Sequence, residues 1–180
     1  LDMGTVFPRV RIRDNKKQGP NHYEIRIYGT RVVEGEVLAD RLLAINPGGE
    51  RPPLEGVVTT DPTYGLAAVW IVEDQKKRAR EAGYTVVDPT TVLLTHLTEI
   101  IKQQAPNLLT RAETERQVNR VRQSQPSLVD ELIPKVLALG EVQKILQNLL
   151  REKVPIRNME AILEVLTDIG TRTKDADALT

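Results

Sequence analysis

The stretch from Asp61 to Ile71, DPTYGLAAVWI, joins a turn to the most apolar run in the chain, and the reading of the fold starts there. Asp-Pro favours a turn, because the proline ring pushes the residue before it out of the helical region, and Gly65 permits a tight bend. Leu66 to Val72 then reads as a strand buried on both faces. One aromatic, Tyr64, stands at the turn. No catalytic constellation accompanies it, so the stretch reads as a surface on which something docks. For Asp61, a turn residue bonding its own backbone is an equal reading, and the two roles are compatible.

Composition narrows what could dock. The 180-residue chain is long enough for one substantial domain or a string of small ones, and 40% hydrophobic content is enough to build cores. Aromatics are only 3%, so Leu, Ile and Val must fill those cores, which argues against a surface of stacked nucleic-acid bases. Lys plus Arg equals Asp plus Glu at 25 each, leaving no net field to draw in DNA, a membrane or an acidic substrate. The absence of cysteine removes disulfides, thiolate chemistry and cysteine-based zinc sites, and fits a reducing compartment. The longest apolar run is shorter than the roughly 20 residues of a membrane helix, and no leader pattern opens the chain. It is expected to be a soluble piece excised from something larger.

Around the central stretch, strands come first. Val10 and Ile12 alternate with Arg9, Arg11 and Arg13, the period of a half-buried strand with a basic, solvated face. After KKQGPN, the alternation of Tyr23, Ile25 and Ile27 predicts a second strand pairing with it as a hairpin, with Gly29 breaking the run and Arg31 to Val33 continuing the sheet. Val37 to Ile45 reads as a short helix and then a strand. Asn46 to Pro53, NPGGERPP, is a loop; its paired glycines lack the GK[ST] or G-x-G-x-x-G context of a phosphate cradle. Glu73 to Ala82 is a helix charged nearly all round, closed by Gly83 and followed by a strand from Tyr84 to Val87. Asp88-Pro89 caps a longer helix whose apolar stripe holds Val92, Leu93, His96, Leu97, Ile100 and Ile101, with Thr95 beside it.

From Pro106 the chain turns to helices alone. Thr110 with Glu113 makes a capping-box pattern, Ser124 to Pro126 ends that helix, Ser127 begins another and Pro134 ends it. Val136 to Leu139 reads as a short extended piece before two amphipathic helices, the second capped by Asn158 and closed by Gly170. The pair around LREKVPIRN has helix-turn-helix form, but the recognition helix would carry Glu160, Glu164 and Asp168 with no Lys or Arg, which opposes phosphate approach. A packing module is the better reading. His22 and His96 are the only histidines and lie in different segments, so no metal site is expected, and His96 reads as a satisfied core histidine. No acid–base pair stands out, and no enzyme activity or cofactor is expected.

Five segments taken together carry a resemblance: IRDN at Ile12 to Asn15, LLAINPG at Leu42 to Gly48, DPTYGLAAVWI, GYTVVDPTTVLLTHLTEII from Gly83, and VQKILQNLLREKVPIRNMEAILE from Val142. Over nearly its whole length the chain resembles the cytoplasmic domain of the flagellar type III protein export gate, a family that includes the injectisome export-gate proteins. LAINPG and QNLLREKVPIR are closer to the flagellar branch. The resemblance implies two small α/β subdomains followed by an all-α part. Residues 1–39 with 89–108 would form the first subdomain, 40–88 a second one inserted in it, and 109–180 a helical, winged-helix-like third. A fourth subdomain and the membrane half of the family would lie outside this chain.

Family likeness also implies a role: a non-enzymatic platform on the cytoplasmic side of the bacterial inner membrane. It would assemble as a ring of nine, meet other export-apparatus proteins, and receive flagellar export chaperones with bound substrates. A ring scaffold with subunit contacts only, or an injectisome homologue, are the alternatives. In the family, chaperones bind a shallow apolar depression between the first two subdomains, at positions matching Asp61, Tyr64 and Thr95. Phe is common in the family where this chain has Tyr64.

Overall fold

The computed structural model describes residues 10–13, 19–173 and 175–180. It is a mixed α/β protein whose described residues hold two sheets and six α-helices, gathered into two compact units. One unit, Ile12–Ile100, holds all the described strands; the other takes in Ile101–Thr180.

The first unit opens with an antiparallel hairpin, β1 (His22–Ile27) and β2 (Thr30–Glu36). Tyr28 and Gly29 join the strands with φ of 50° and 82°, a left-handed pair that matches the right-handed strand twist. The expected pairing of β1 with an upstream strand does not form. Val10 to Arg13 make no strand, Ile12 is 94% exposed, and Arg9 lies outside the described residues. Two apolar residues among arginines offer little to bury, and a two-residue loop costs far less closure entropy than one through KKQGPN.

Four antiparallel strands make the second sheet: β3 (Leu42–Ile45), β4 (Val57–Thr60), β5 (Ala67–Ile71) and β6 (Thr85–Val87), in the order β4-β5-β3-β6. Between β5 and β6 come a 3-10 turn, Glu73–Gln75, and α1 (Lys76–Glu81); α2 (Pro89–Leu108) follows β6. Successive residues of a strand face opposite ways, so β3, β5 and β6 each serve two cores. Leu42, Ala44 and Ile71 pack with Ala79 of α1, while Leu43, Ala68 and Trp70 pack with Val92 of α2. The central stretch is therefore covered on both faces over Ala68 to Ile71. Its ends, Leu66 and Val72, are exposed.

Two further details of this unit depart from the sequence reading. Val37 to Asp40 form no helix: the segment turns, with Arg41 N–H donating to Leu38 O at 3.2 Å, because four residues cannot offset helix nucleation. The strand β4 has no counterpart in that reading. It is an edge, largely solvated, with Val58 82% exposed, and so lacks the inward alternation by which strands are recognised. The loop of Asn46 to Pro53 is a plain turn, drawn together by Arg51, whose guanidinium donates to Asn46 Oδ1, Gly48 O and Ala82 O. Gly83, at φ 83°, ends α1 as expected and leaves that guanidinium its room, since a Cβ there would collide with Arg51 Nη1.

Among its described residues the second unit holds helices and no strand: the end of α2, then α3 (Arg111–Ser124), α4 (Pro126–Leu132), α5 (Leu139–Arg151) and α6 (Met159–Gly170). Leu109, Leu132, Leu137, Ile145, Leu146 and Leu163 are fully buried in one core. Caps fall where the sequence puts them, with Thr110 Oγ1 accepting from Glu113 N–H at 3.2 Å and Asn158 Oδ1 from Ala161 N–H at 3.3 Å. Pro106, expected to open the helical part, lies instead in the last turn of α2, where burial of Ala105 and Leu108 outweighs the one hydrogen bond proline cannot donate. Val136 to Leu137 form a turn rather than an extended piece, and Leu139 already belongs to α5.

Candidate functional site

The loop joining β4 to β5 is built by Asp61. Its N–H donates to Leu66 O at 2.7 Å, its carbonyl accepts from Gly65 N–H at 2.9 Å, and its Oδ2 accepts from Tyr64 N–H at 2.7 Å. Gly65 takes a φ of 69°, which a side-chain-bearing residue adopts only at a cost. Asp61 is 4% exposed, and Tyr64, held by it, is 65% exposed. The turn-forming reading of Asp61 is thus what the geometry contains. The same bond holds an aromatic ring out in solvent, where nothing in its own fold requires it.

Thr95 sits on α2. Asp88 fixes the start of that helix: Oδ1 accepts from Thr91 N–H at 2.9 Å and Oδ2 from Thr91 Oγ1 at 2.6 Å, and these bonds hold the Asp88 carboxyl below its ordinary range. One turn on from Thr91, Thr95 is half-buried. Among the described residues no hydrogen bond or ion pair joins it to Asp61 or Tyr64, so the structure ties two of the three expected residues directly together and leaves the third on a neighbouring element.

A pair the sequence did not single out as functional ties α2 to the β1–β2 hairpin. His96, next to Thr95, is 2% exposed, and its Nδ1 lies 2.5 Å from the Tyr23 hydroxyl of β1, with the rings edge-to-face at 5.8 Å between centroids. His96 is therefore the satisfied buried histidine that its place on the apolar stripe suggested. Burial pushes it below its ordinary value, and the Asp61 charge opposes that shift. Burial first and the Asp61 charge second push the Tyr23 hydroxyl up to about 12. Asp61, Tyr23 and His96 thus share one electrostatic neighbourhood. Seventy-three positions separate the two rings, so no local pattern announces their contact.

Gly35 makes that contact sterically feasible. It faces Tyr23 across the β1–β2 ladder, and a Cβ there would lie 2.5 Å from the Tyr23 hydroxyl oxygen. Gly35→Ala is expected to drive the ring off His96 and lower stability by about 1–3 kcal/mol, the cost of stranding a buried polar group. Combined with Tyr23→Phe the loss should be far from additive, measured by urea unfolding followed through the single tryptophan, Trp70. Additive losses would mean that Gly35 serves something other than this contact.

Little else here supports chemistry. Among the described residues no group of three His, Asp or Glu side chains is placed to hold a metal ion, and no helix is long and apolar enough to cross a membrane. An open cleft of about 240 Å³ beside Tyr23 is lined by Gly19, His22 and Glu34, without a nucleophile and base in hydrogen-bond reach of each other.

A sequence-family model described as the FHIPEP family matches residues 1–180. The chain is 47% identical over 180 residues to the flagellar biosynthesis protein FlhA of Bacillus subtilis, covering all of this chain and 27% of that protein. It therefore spans about a quarter of the length of the curated relatives it matches. Among solved structures, the Chlamydia pneumoniae CdsV and CdsO protein complex contains a chain similar to 99% of this one, with a TM-score of 0.83, 23% identity and 55% of that chain covered. The nonameric EPEC SctV-C is similar over 98% of this chain, with a TM-score of 0.71, 22% identity and 53% of that chain covered. At these identities the solved structures speak to fold.

Proposed function

The chain belongs to the FHIPEP family, and on that premise we propose that it is a docking platform of a bacterial flagellar type III export apparatus, receiving chaperone–substrate complexes at Asp61, Tyr64 and Thr95. The observation that carries the reading is the exposed Tyr64 ring fixed by the buried Asp61 carboxylate. A rigidly presented aromatic beside a satisfied carboxylate loses little conformational entropy on binding and has a large apolar face to bury, the usual make-up of an interface hot spot. Nothing in the site calls for turnover, so its task is recognition.

The flagellar branch is preferred because flagellar relatives reach 47% identity, against 23% for the injectisome-type chain in the CdsV–CdsO complex. The wider assignment follows the family. The chain would stand on the cytoplasmic side of the inner membrane as part of a membrane-anchored protein, meet other export-apparatus proteins, and take its place in a ring, as the nonameric relative does. The division into residues 1–39 with 89–108, an inserted 40–88 and a helical 109–180 belongs to this proposal. It is supported by the four-stranded sheet, whose strands all fall between Leu42 and Val87.

Calorimetric titration of a purified flagellar chaperone–substrate complex into the folded chain tests the reading. Heat of binding that Tyr64→Ala largely removes is the expected result. Unchanged affinity in that variant takes the site away, and no binding at all leaves a scaffold role.

A further inference from the structure

At β4 both apolar layers of the four-stranded sheet run out uncovered. The strand, VVTT, holds no charge, and it leads at Thr60 straight into the turn in which Asp61 fixes Tyr64. We propose that the outer side of β4 is a second docking surface, on which an extended, uncharged segment of the docked chaperone–substrate complex adds as a fifth strand. The inference rests on the docking reading for the anchor that brings this segment to the edge.

The backbone fixes which groups are on offer. Asp61 N–H donates to Leu66 O at 2.7 Å, while Ala67, opposite Thr60, gives its carbonyl to Asn46 N–H on the β3 side at 2.8 Å. Antiparallel ladders alternate, so Val57 and Thr59 bond to β5, and Val58 and Thr60 turn their N–H and C=O groups outward. Among the described residues, the only hydrogen bond to that outward set is a 3.5 Å contact from Thr59 Oγ1 to Thr60 O. The side chains follow the backbone. Val57 stands opposite Trp70 and Val58 opposite Val69, on opposite faces of the sheet, and they are 48% and 82% exposed. Each of the two apolar layers thus ends on an uncovered valine. An added strand meets the outward groups and covers both valines at once, which a helix cannot do.

Other edges are guarded. The strands β1 and β2 carry Glu24, Arg26, Arg31 and Glu34, and β6 stops after three residues at Asp88-Pro89 with its valines half-buried. Charges and prolines of this kind keep open edges from pairing, and β4 has none within it. Size decides the occupant. Two outward residues hold far less than the roughly 1,000 Å² that a stable interface between whole chains needs, so a second copy paired through β4 alone is too weakly held. The segment must be anchored elsewhere, and the adjoining anchor is the exposed Tyr64 ring on the turn that continues β4.

Amide hydrogen exchange on the whole chain, read by NMR with and without a purified flagellar chaperone–substrate complex, tests this. In the free chain the Val58 and Thr60 amides should exchange faster than those of Val57 and Thr59. In the complex they should slow by about tenfold or more, with Val57 and Thr59 little changed. Val58→Pro removes one outward donor without touching the ladder to β5 and should weaken binding by about threefold to tenfold, whereas Val58→Thr, which keeps the N–H, should hold affinity. Trp70 emission checks that the proline variant is folded; if it is not, Val58→Lys, which puts a charge on the edge, should weaken binding in its place. Outward amides that stay fast in a complex whose binding needs Tyr64 overturn the inference and leave the docking reading standing. Protection of Val58 and Thr60 by a complex that Tyr64→Ala binds equally well keeps the edge and removes Tyr64 from docking. Protection that grows with the concentration of the free chain makes the occupant a second copy and overturns the proposal, and no binding of the complex removes both readings.

Discussion

Leu43→Ala is expected to lower the stability of the first unit by about 2–5 kcal/mol, the range for truncating a leucine with no room to collapse around the gap. Leu43 is fully buried on β3, one of the two inner strands of the four-stranded sheet, where it faces Trp70 across one ladder and Val87 across the other. It packs in the cluster that also holds Ala68, Trp70 and Val92, so the sheet, α2 and the turn with Tyr64 all depend on that layer. Trp70 is the only tryptophan and is itself buried, so its emission in urea reports unfolding of this sheet. Val58→Ala on the edge strand is the control: at 82% exposure it should change stability by no more than about 0.5 kcal/mol. A loss below about 1 kcal/mol for Leu43→Ala would show that the two-sided packing of β3 is looser than its burial implies.

That the sheet centres on the DPTYGLAAVWI stretch was legible because its signals are local. Asp-Pro, Gly65 and the unbroken apolar run after it need no distant partner to be read, and the caps at Thr110 and Asn158 are set by residues three apart. What failed was whatever depended on a partner. Val10 and Ile12 have the alternation of a strand, yet no strand forms there, while Tyr23 to Ile27 pair with the residues just beyond a two-residue turn. The edge strand β4 has little to bury, and Pro106 is kept in α2 by tertiary burial that overrides its local preference.

The site divides along the same line. Asp61 and Tyr64 lie three residues apart, so the turn that joins them could be read from the chain, as could the single aromatic on it. Their function could not; the resemblance supplied it. The part played by Tyr23 was hidden for a different reason. It depends on Gly35 across the hairpin and on His96 in another segment, and no periodicity encodes two such separations.

Tyr64→Ala is expected to weaken chaperone–substrate docking by about 2 kcal/mol or more, roughly thirtyfold in affinity, while the folded chain stays intact. The ring is 65% exposed and its hydroxyl makes no hydrogen bond among the described residues, so removing it uncovers no core and strands no polar group. Its value is realised only when a partner covers it. Tyr64→Phe keeps the ring and should hold affinity within about threefold, because only a hydroxyl that water already serves is lost. Asp61→Ala acts through the turn: it frees the Tyr64 N–H, so the ring is no longer held out in one place and the ordering cost passes to the binding step. Asp61→Ala and Tyr64→Ala should therefore be strongly coupled, with the double variant little weaker than Tyr64→Ala alone in a calorimetric cycle. Independent, additive losses would mean that Asp61 meets the partner directly and that its bond to the Tyr64 amide is incidental to docking.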